Sequence, residues 1–253
     1  MPDCPAPSSR GWATSSARRR RGAPGFRSRT SPTSSRGGAG RRGALRVTPE
    51  RVVVHTVLKV GGGLLGKARA FDHVIEALTA FRPGRRLVVI PGGGPFADAV
   101  RQMFRRVKIG ADAAHWMAVL GMDQYAHALA ARAPGAALVE QREDIAAALA
   151  AGQLPVLAPY RWLKTADPLP HSWDVTSDSI AAWFAGALGA RRIVLIKPAS
   201  GRGDARKLVD PAFVRTLPPA VEHLIVTADD LGQLDVALNE GGEGSSRRVS
   251  KRP

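Results

Sequence analysis

Three short stretches carry the residue types that phosphate chemistry needs. Lys59-Val60-Gly61-Gly62-Gly63 and Pro91-Gly92-Gly93-Gly94-Pro95 each place consecutive glycines where an apolar run ends and a helical pattern begins. Glycines there let backbone amides approach an anion closely, and the helix N-terminus adds positive potential. Two such loops on successive strands predict two neighbouring phosphate sites. Lys59 ends an otherwise apolar run, so its cation would face whatever the glycines hold. Phosphoryl transfer needs such a charge, because negative charge spreads over the moving group in the transition state.

The third stretch is His171-Ser172-Trp173-Asp174-Val175-Thr176-Ser177-Asp178, with two carboxylates four residues apart at the start of a helical pattern. Thr176 or Ser177 suits an N-cap. Asp178 reads either as a first-turn acid favoured by the helix dipole or as the group that orients Lys59 or a metal; Asp174 would then face an acceptor pocket. Trp162 and Trp173 read as core or lid residues.

The elements that must position these residues alternate between strand and helix. Strands are expected over 52–60, 87–90, 137–140, 154–158, 193–197 and 223–227. Helices are expected around Phe71 to Leu78, around Phe96 to Phe104, over 111–132, 143–151 and 177–188, and after Asp229-Asp230. Pro83-Gly84 should end the first helix. Residues 159–176 and 198–209 read as loops. Strands that are continuous apolar runs are buried on both faces, and helical crossovers imply a parallel sheet with right-handed connections. The predicted fold is α/β, a three-layer αβα sandwich with a mostly parallel central sheet. Ligands in such folds sit beyond the carboxyl ends of the strands, where all these loops lie.

Other chemistries lack their residues. The glycine loops match neither GxxxxGK[ST] nor GxGxxG, so Walker-type and dinucleotide fingerprints are absent. No GxSxG supports a serine hydrolase. No HExxH or paired-ligand spacing supports a catalytic zinc, and the single Cys4 excludes a disulfide framework or a cysteine zinc site. No residue is assigned to a metal.

The 253 residues hold 37 Lys+Arg against 21 Asp+Glu, a net charge of +16 that invites a nucleic-acid reading. The distribution argues against it. Residues 1–46 carry +10 and 241–253 carry +3, while 47–240 carry only +3. Residues 1–46 are rich in Arg, Ser and Gly and show no apolar period, so they are expected to be disordered; a start near Val47 or Val52 would account for them. The tail 241–253 reads the same way, which leaves one folded domain over 47–240. No apolar run is long enough to span a membrane.

Lys59-Val60-Gly61-Gly62, Pro91 to Ala97, and Asp174-Val175-Thr176-Ser177-Asp178-Ser179-Ile180-Ala181 together resemble the amino acid kinase superfamily over about residues 52–240. His115-Trp116-Met117-Ala118, Gly121-Met122-Asp123-Gln124-Tyr125 and Leu169 to Asp174 resemble one branch of it more closely, the small kinases of (aminomethyl)furanmethanol phosphate in methanofuran-type cofactor biosynthesis. The resemblance implies ATP and Mg²⁺ as cofactors, a small phosphorylated substrate, a homo-oligomer and a cytoplasmic location. It implies that Lys59 bridges phosphates and that Gly61, Gly62 and Gly63 hold the transferring phosphate. Gly92, Gly93 and Gly94 would hold the acceptor, and Asp178 would organise the lysines. Two departures stand out. Gly63 replaces a usual Ser, and Pro198-Ala199-Ser200-Gly201-Arg202-Gly203-Asp204 keeps only Gly201 of the usual nucleotide loop. Lys197 and Lys207 are the candidates for a second catalytic lysine.

Overall fold

The computed structural model describes residues 53–79, 85–198 and 208–228. Among them the chain forms six strands: β1 (Thr56–Val60), β2 (Leu87–Pro91), β3 (Ala136–Val139), β4 (Leu154–Leu157), β5 (Arg192–Lys197) and β6 (Glu222–Thr227). All pair in parallel in one sheet, in the order β3-β4-β2-β1-β5-β6. The helices are α1 (Ala68–Thr79), α2 (Gly94–Val107), α3 (Ala111–Arg132), α4 (Arg142–Ala150), α5 (Tyr160–Ala166), α6 (Ser177–Leu188) and the short α7 (Phe213–Thr216). The predicted αβα sandwich is the observed one. None of the described helices is long and apolar enough to cross a membrane.

The period of two along each strand divides the core. Val57, Ile193 and Leu195 belong to a cluster that contains the apolar face of α6, with Ile180 and Phe184. Leu58, Val60, Val194 and Ile196 belong to the opposite cluster, under α1, whose Phe71, Val74, Ile75 and Leu78 form the buried stripe. Successive strand residues point to opposite faces, so Lys59 follows Val57 and Lys197 follows Leu195 onto the α6 side.

The chain leaves β1 toward β2 and leaves β5 toward β6, in opposite directions along the sheet. The crevice between the carboxyl ends of β1 and β5 is therefore the topological switch point, where ligands of open parallel sheets bind.

Two short helices differ from expectation. Within 159–176, expected to be a loop, residues 160–166 form α5. Its first amide, Tyr160 N, donates to the Asp123 carboxylate of α3 at 3.0 Å. That cap comes from 37 residues away, so no local signal announces it. The one-turn α7 was likewise hidden inside what read as connection. The 1–46 and 241–253 extensions, Pro83-Gly84, Lys207, most of the 198–209 loop with Gly201, and the helix after Asp229-Asp230 lie outside the described residues.

Candidate active site

Lys59 and Lys197 converge on one carboxylate. Lys59 Nζ lies 2.8 Å from Asp178 Oδ1, and Lys197 Nζ donates to Oδ2 at 2.6 Å. The side chains are 5%, 13% and 6% exposed for Lys59, Lys197 and Asp178. Oδ1 has no aligned hydrogen bond, so its contact with Lys59 is an ion pair held by charge rather than by direction. Asp178 lies in the first turn of α6, after the Thr176 N-cap. Burial alone would raise its pKa, but the two ammonium groups outweigh burial and hold the carboxyl below its ordinary value. Burial and the charge of Lys59 push Lys197 below the usual lysine value, against the opposing pull of Asp178 and Asp210. The cluster carries one net positive charge in a buried crevice, an environment that favours a phosphate.

The two glycine loops, expected as two neighbouring phosphate sites, pack directly against each other. Gly61 N donates to Ile196 O, and Gly92 N donates to Val60 O, each at 2.8 Å. Residues Gly62–Gly66 then wind into a 3₁₀ turn. A Cβ on Gly62 would collide with the backbone of Gly94, and one on Gly92 would lie 2.6 Å from Gly62 N. A Cβ on Gly94 would lie 2.7 Å from Gly62 O, and Gly94 also has φ +53°. Backbone packs on backbone here, so glycine is required for close approach. The loops form a single interlocked platform, open on the side of Lys59. Gly93 makes room for Ala97 of α2. Gly63, where a Ser was expected, sits instead against the Pro198 ring.

These residues border a cavity of about 320 Å³. Lys59, Lys197, Asp178 and the platform line it, together with the rings of His115, His171 and Trp173. His115 and His171 stack with centroids 4.2 Å apart, and Trp116 meets both edge-on. Trp173 packs against Phe104, with Arg101 over its face at 4.8 Å. His171 Nδ1 lies 2.7 Å from Asp112 and Nε2 lies 2.9 Å from Asp167. Burial disfavours the cation, but these two carboxylates outweigh it and raise the His171 pKa. Burial and the neighbouring His171 push His115 down to about 4, so it is neutral at physiological pH.

Because the folded pKa of His171 is raised, its bridge stabilises the protein below the ordinary imidazole value and loses that effect as pH rises through the higher folded value. In Asp112→Asn the His171 titration, read from imidazole NMR signals, should move down. The stability cost should stay under about 1 kcal/mol, because Asp112 is largely exposed. An unmoved titration would contradict the bridge.

Of the residues expected at the site, Lys59, Asp178, Gly61, Gly62, Gly63, Lys197, Gly93 and Gly94 line this cavity, and Gly92 lies directly behind Gly62. Asp174 does not face it. Trp173 and Val175 line the cavity, and Asp174 between them is exposed on the outer side. Its backbone is what engages: the amide donates to Ser172 Oγ and the carbonyl accepts from Ala212 N, each at 3.3 Å. The sequence reading missed the stacked histidine wall and Asp98, a cavity-lining carboxylate. It also missed Asp210, which accepts from Thr176 N at 2.9 Å and from Ser179 N at 3.0 Å.

The donor set suits anions, not a bare cation. Both oxygens of Asp178 are taken by lysines, and the described residues include no group of three or more His, Cys, Asp or Glu that could hold a metal.

The amino acid kinase family profile matches residues 55–201, more than half of the chain. A curated relative, the [5-(aminomethyl)furan-3-yl]methyl phosphate kinase of Methanocaldococcus jannaschii, is 27% identical over 150 residues, covering 58% of this chain and 68% of that protein. Among solved structures, the UMP kinase of Ureaplasma parvum superposes with a TM-score of 0.57 at 14% identity, over 73% of this chain and 94% of that one, a likeness of fold. The chain belongs to the amino acid kinase family and is a kinase.

Proposed function

We propose that the protein transfers the γ-phosphoryl group of ATP to the phosphate of a small acceptor, [5-(aminomethyl)furan-3-yl]methyl phosphate, to give its diphosphate. The observation that carries this reading is the Lys59–Asp178–Lys197 cluster beside the interlocked glycine platform, at the crevice between β1 and β5. Family membership implies ATP as donor, and the Methanocaldococcus relative supports the acceptor. The reaction would serve methanofuran-type cofactor synthesis in the cytoplasm.

ATP, when bound, supplies the phosphoryl group. An oxygen of the acceptor phosphate bonds to the γ-phosphorus as the bond to the β–γ bridging oxygen breaks, and ADP keeps that electron pair. Lys59, Lys197 and the amides of the platform stabilise the charge that spreads over the transferring group. Asp178 holds both ammonium groups in place. No general base is needed, because a phosphate oxygen is already anionic. A Mg²⁺ ion would be held by the nucleotide phosphates, with no described side chain dedicated to it.

The His115, His171 and Trp173 rings of the cavity lining suit a planar heterocycle. With Asp174 turned outward, Asp98 is the described lining carboxylate left to meet the acceptor's ammonium; its partner Arg101 is an exposed i,i+3 contact. Asp98→Asn should raise KM for the aminomethyl acceptor roughly tenfold, the scale of one charge-assisted hydrogen bond, with KM for ATP unchanged. Asp174→Asn should change neither, and the reverse pattern would contradict the assignment.

The proposal is tested by ADP release from the full-length protein with ATP and a panel of acceptors: the furan phosphate, UMP, carbamate and glutamate. Turnover should be fastest with the furan phosphate. Faster turnover with UMP, carbamate or glutamate would overturn the acceptor, and ATP binding without ADP release in every mixture would overturn the reaction.

A further inference from the structure

We propose that Asp210 is a positioning residue for phosphoryl transfer, holding the Asp178-bearing end of α6. The proposal rests on reading the Lys59–Asp178–Lys197 cluster as the reaction centre.

Asp210 follows β5 in the chain, yet it is the principal acceptor at the start of α6. Its Oδ2 accepts from Thr176 N at 2.9 Å, Thr176 Oγ1 at 2.7 Å and Ser179 N at 3.0 Å. Its Oδ1 accepts from Ser179 Oγ and from Ala212 N, the latter at 3.1 Å. The local cap is weak by comparison: Thr176 Oγ1 accepts only a 3.4 Å bond from Asp178 N. Asp178 therefore sits inside a turn whose free amides and hydroxyls are gathered by a carboxylate more than 30 residues away. A small shift of that turn moves Asp178 relative to both ammonium groups, and transfer rates are sensitive to such displacements. The charge of Asp210 adds to that of Asp178 in favouring the ammonium form of Lys197, which burial and Lys59 oppose.

The test uses the full-length Asp210→Asn protein, with Thr216→Ala as a stability control. Thr216 Oγ1 donates to Ala212 O in the same segment and touches none of the cluster. One readout needs no acceptor: the pH dependence of Lys197 modification by a small amine-reactive reagent, followed by mass spectrometry. The other is ADP release with ATP and the furan phosphate. In Asp210→Asn the Lys197 midpoint should move to lower pH. Its kcat should fall roughly tenfold or more while both KM values stay within about threefold. Thr216→Ala should leave midpoint and kcat at wild-type values despite its lower Tm. Should Asp210→Asn fail to fold, Asp210→Glu keeps the charge with altered reach, and should retain the midpoint while kcat falls. An unmoved midpoint in folded Asp210→Asn, an equal kcat loss in Thr216→Ala, or wild-type kcat in Asp210→Glu overturns the proposal. Absence of wild-type turnover with this acceptor would refute the proposed reaction alone, and the Lys197 midpoint would still decide the place of Asp210.

Discussion

Asp178→Asn should lose catalysis and stability together. The substitution keeps the shape but leaves two buried ammonium groups facing one another. Removing one member of a buried ion pair costs about 3–5 kcal/mol, because an uncompensated charge remains. The catalytic loss should reach roughly 100-fold or more in kcat, the scale of removing a preorganised electrostatic element. The pH dependence supplies a signature. In the wild type the depressed carboxyl contributes stability that is complete above its ordinary value of 3.8 and is lost as pH falls through the lower folded value. In Asp178→Asn that acid dependence should shrink. The alkaline dependence should grow, with stability rising as high pH discharges Lys197, whose folded pKa is already depressed and loses the opposing pull of Asp178. Thermal unfolding at acid, neutral and alkaline pH reads both. A variant with wild-type Tm and turnover would contradict the cluster.

Gly62→Ala should be severely damaging, because its Cβ would make the closest contact of any described glycine, against Gly94 N. The added carbon has no room, because it meets the backbone of Gly94 rather than a movable side chain. Overpacking of this kind costs about 1–3 kcal/mol, and relief requires the two loops to separate. A displacement of about 1 Å at a reacting centre costs on the order of 100-fold in rate. Gly66→Ala is the matched control at the end of the same 3₁₀ turn, since a Cβ there would meet nothing within 4 Å. ADP release should collapse in the first variant and survive in the second. Equal behaviour would mean that the loops are not interlocked as described.

These two sites show which parts of the molecule local sequence can carry. The bounds of α3 and α6 are legible because their ends have their own signals: Asp112 in the first turn of α3, Thr176 at the N-cap of α6, and Gly189 beyond it at φ 65°. The face of each lysine is legible too, since Val57-Lys59 and Ile193-Leu195-Lys197 share strand parity. What was hidden depends on pairing across the chain. That β1 lies beside β5 is decided by a crossover of more than a hundred residues, and only that adjacency selects Lys197 as the second lysine on Asp178. The interlocking of the glycine loops depends on how β1 and β2 align at their ends, so each loop alone reads as a separate anion site. The caps from Asp123 and Asp210 arrive from distant segments and leave no mark near the helices they start. Asp174 is a different case: its spacing from Asp178 suggests a shared pocket, but the turn at 173–174 leaves its side chain exposed and outside the cavity lining.

The central claim is that a phosphate oxygen of the acceptor receives the γ-phosphoryl group at the Lys59–Asp178–Lys197 cluster. Phosphorus NMR of a reaction containing the full-length protein, ATP and [5-(aminomethyl)furan-3-yl]methyl phosphate tests it most directly, because a diphosphate ester shows two mutually coupled phosphorus signals. The account predicts that this pair grows in step with ADP, and that the same mixture with Lys59→Ala forms it at least about 100-fold more slowly. ADP accompanied by inorganic phosphate alone, a phosphoramidate on the amine, or an undiminished rate in Lys59→Ala would contradict it.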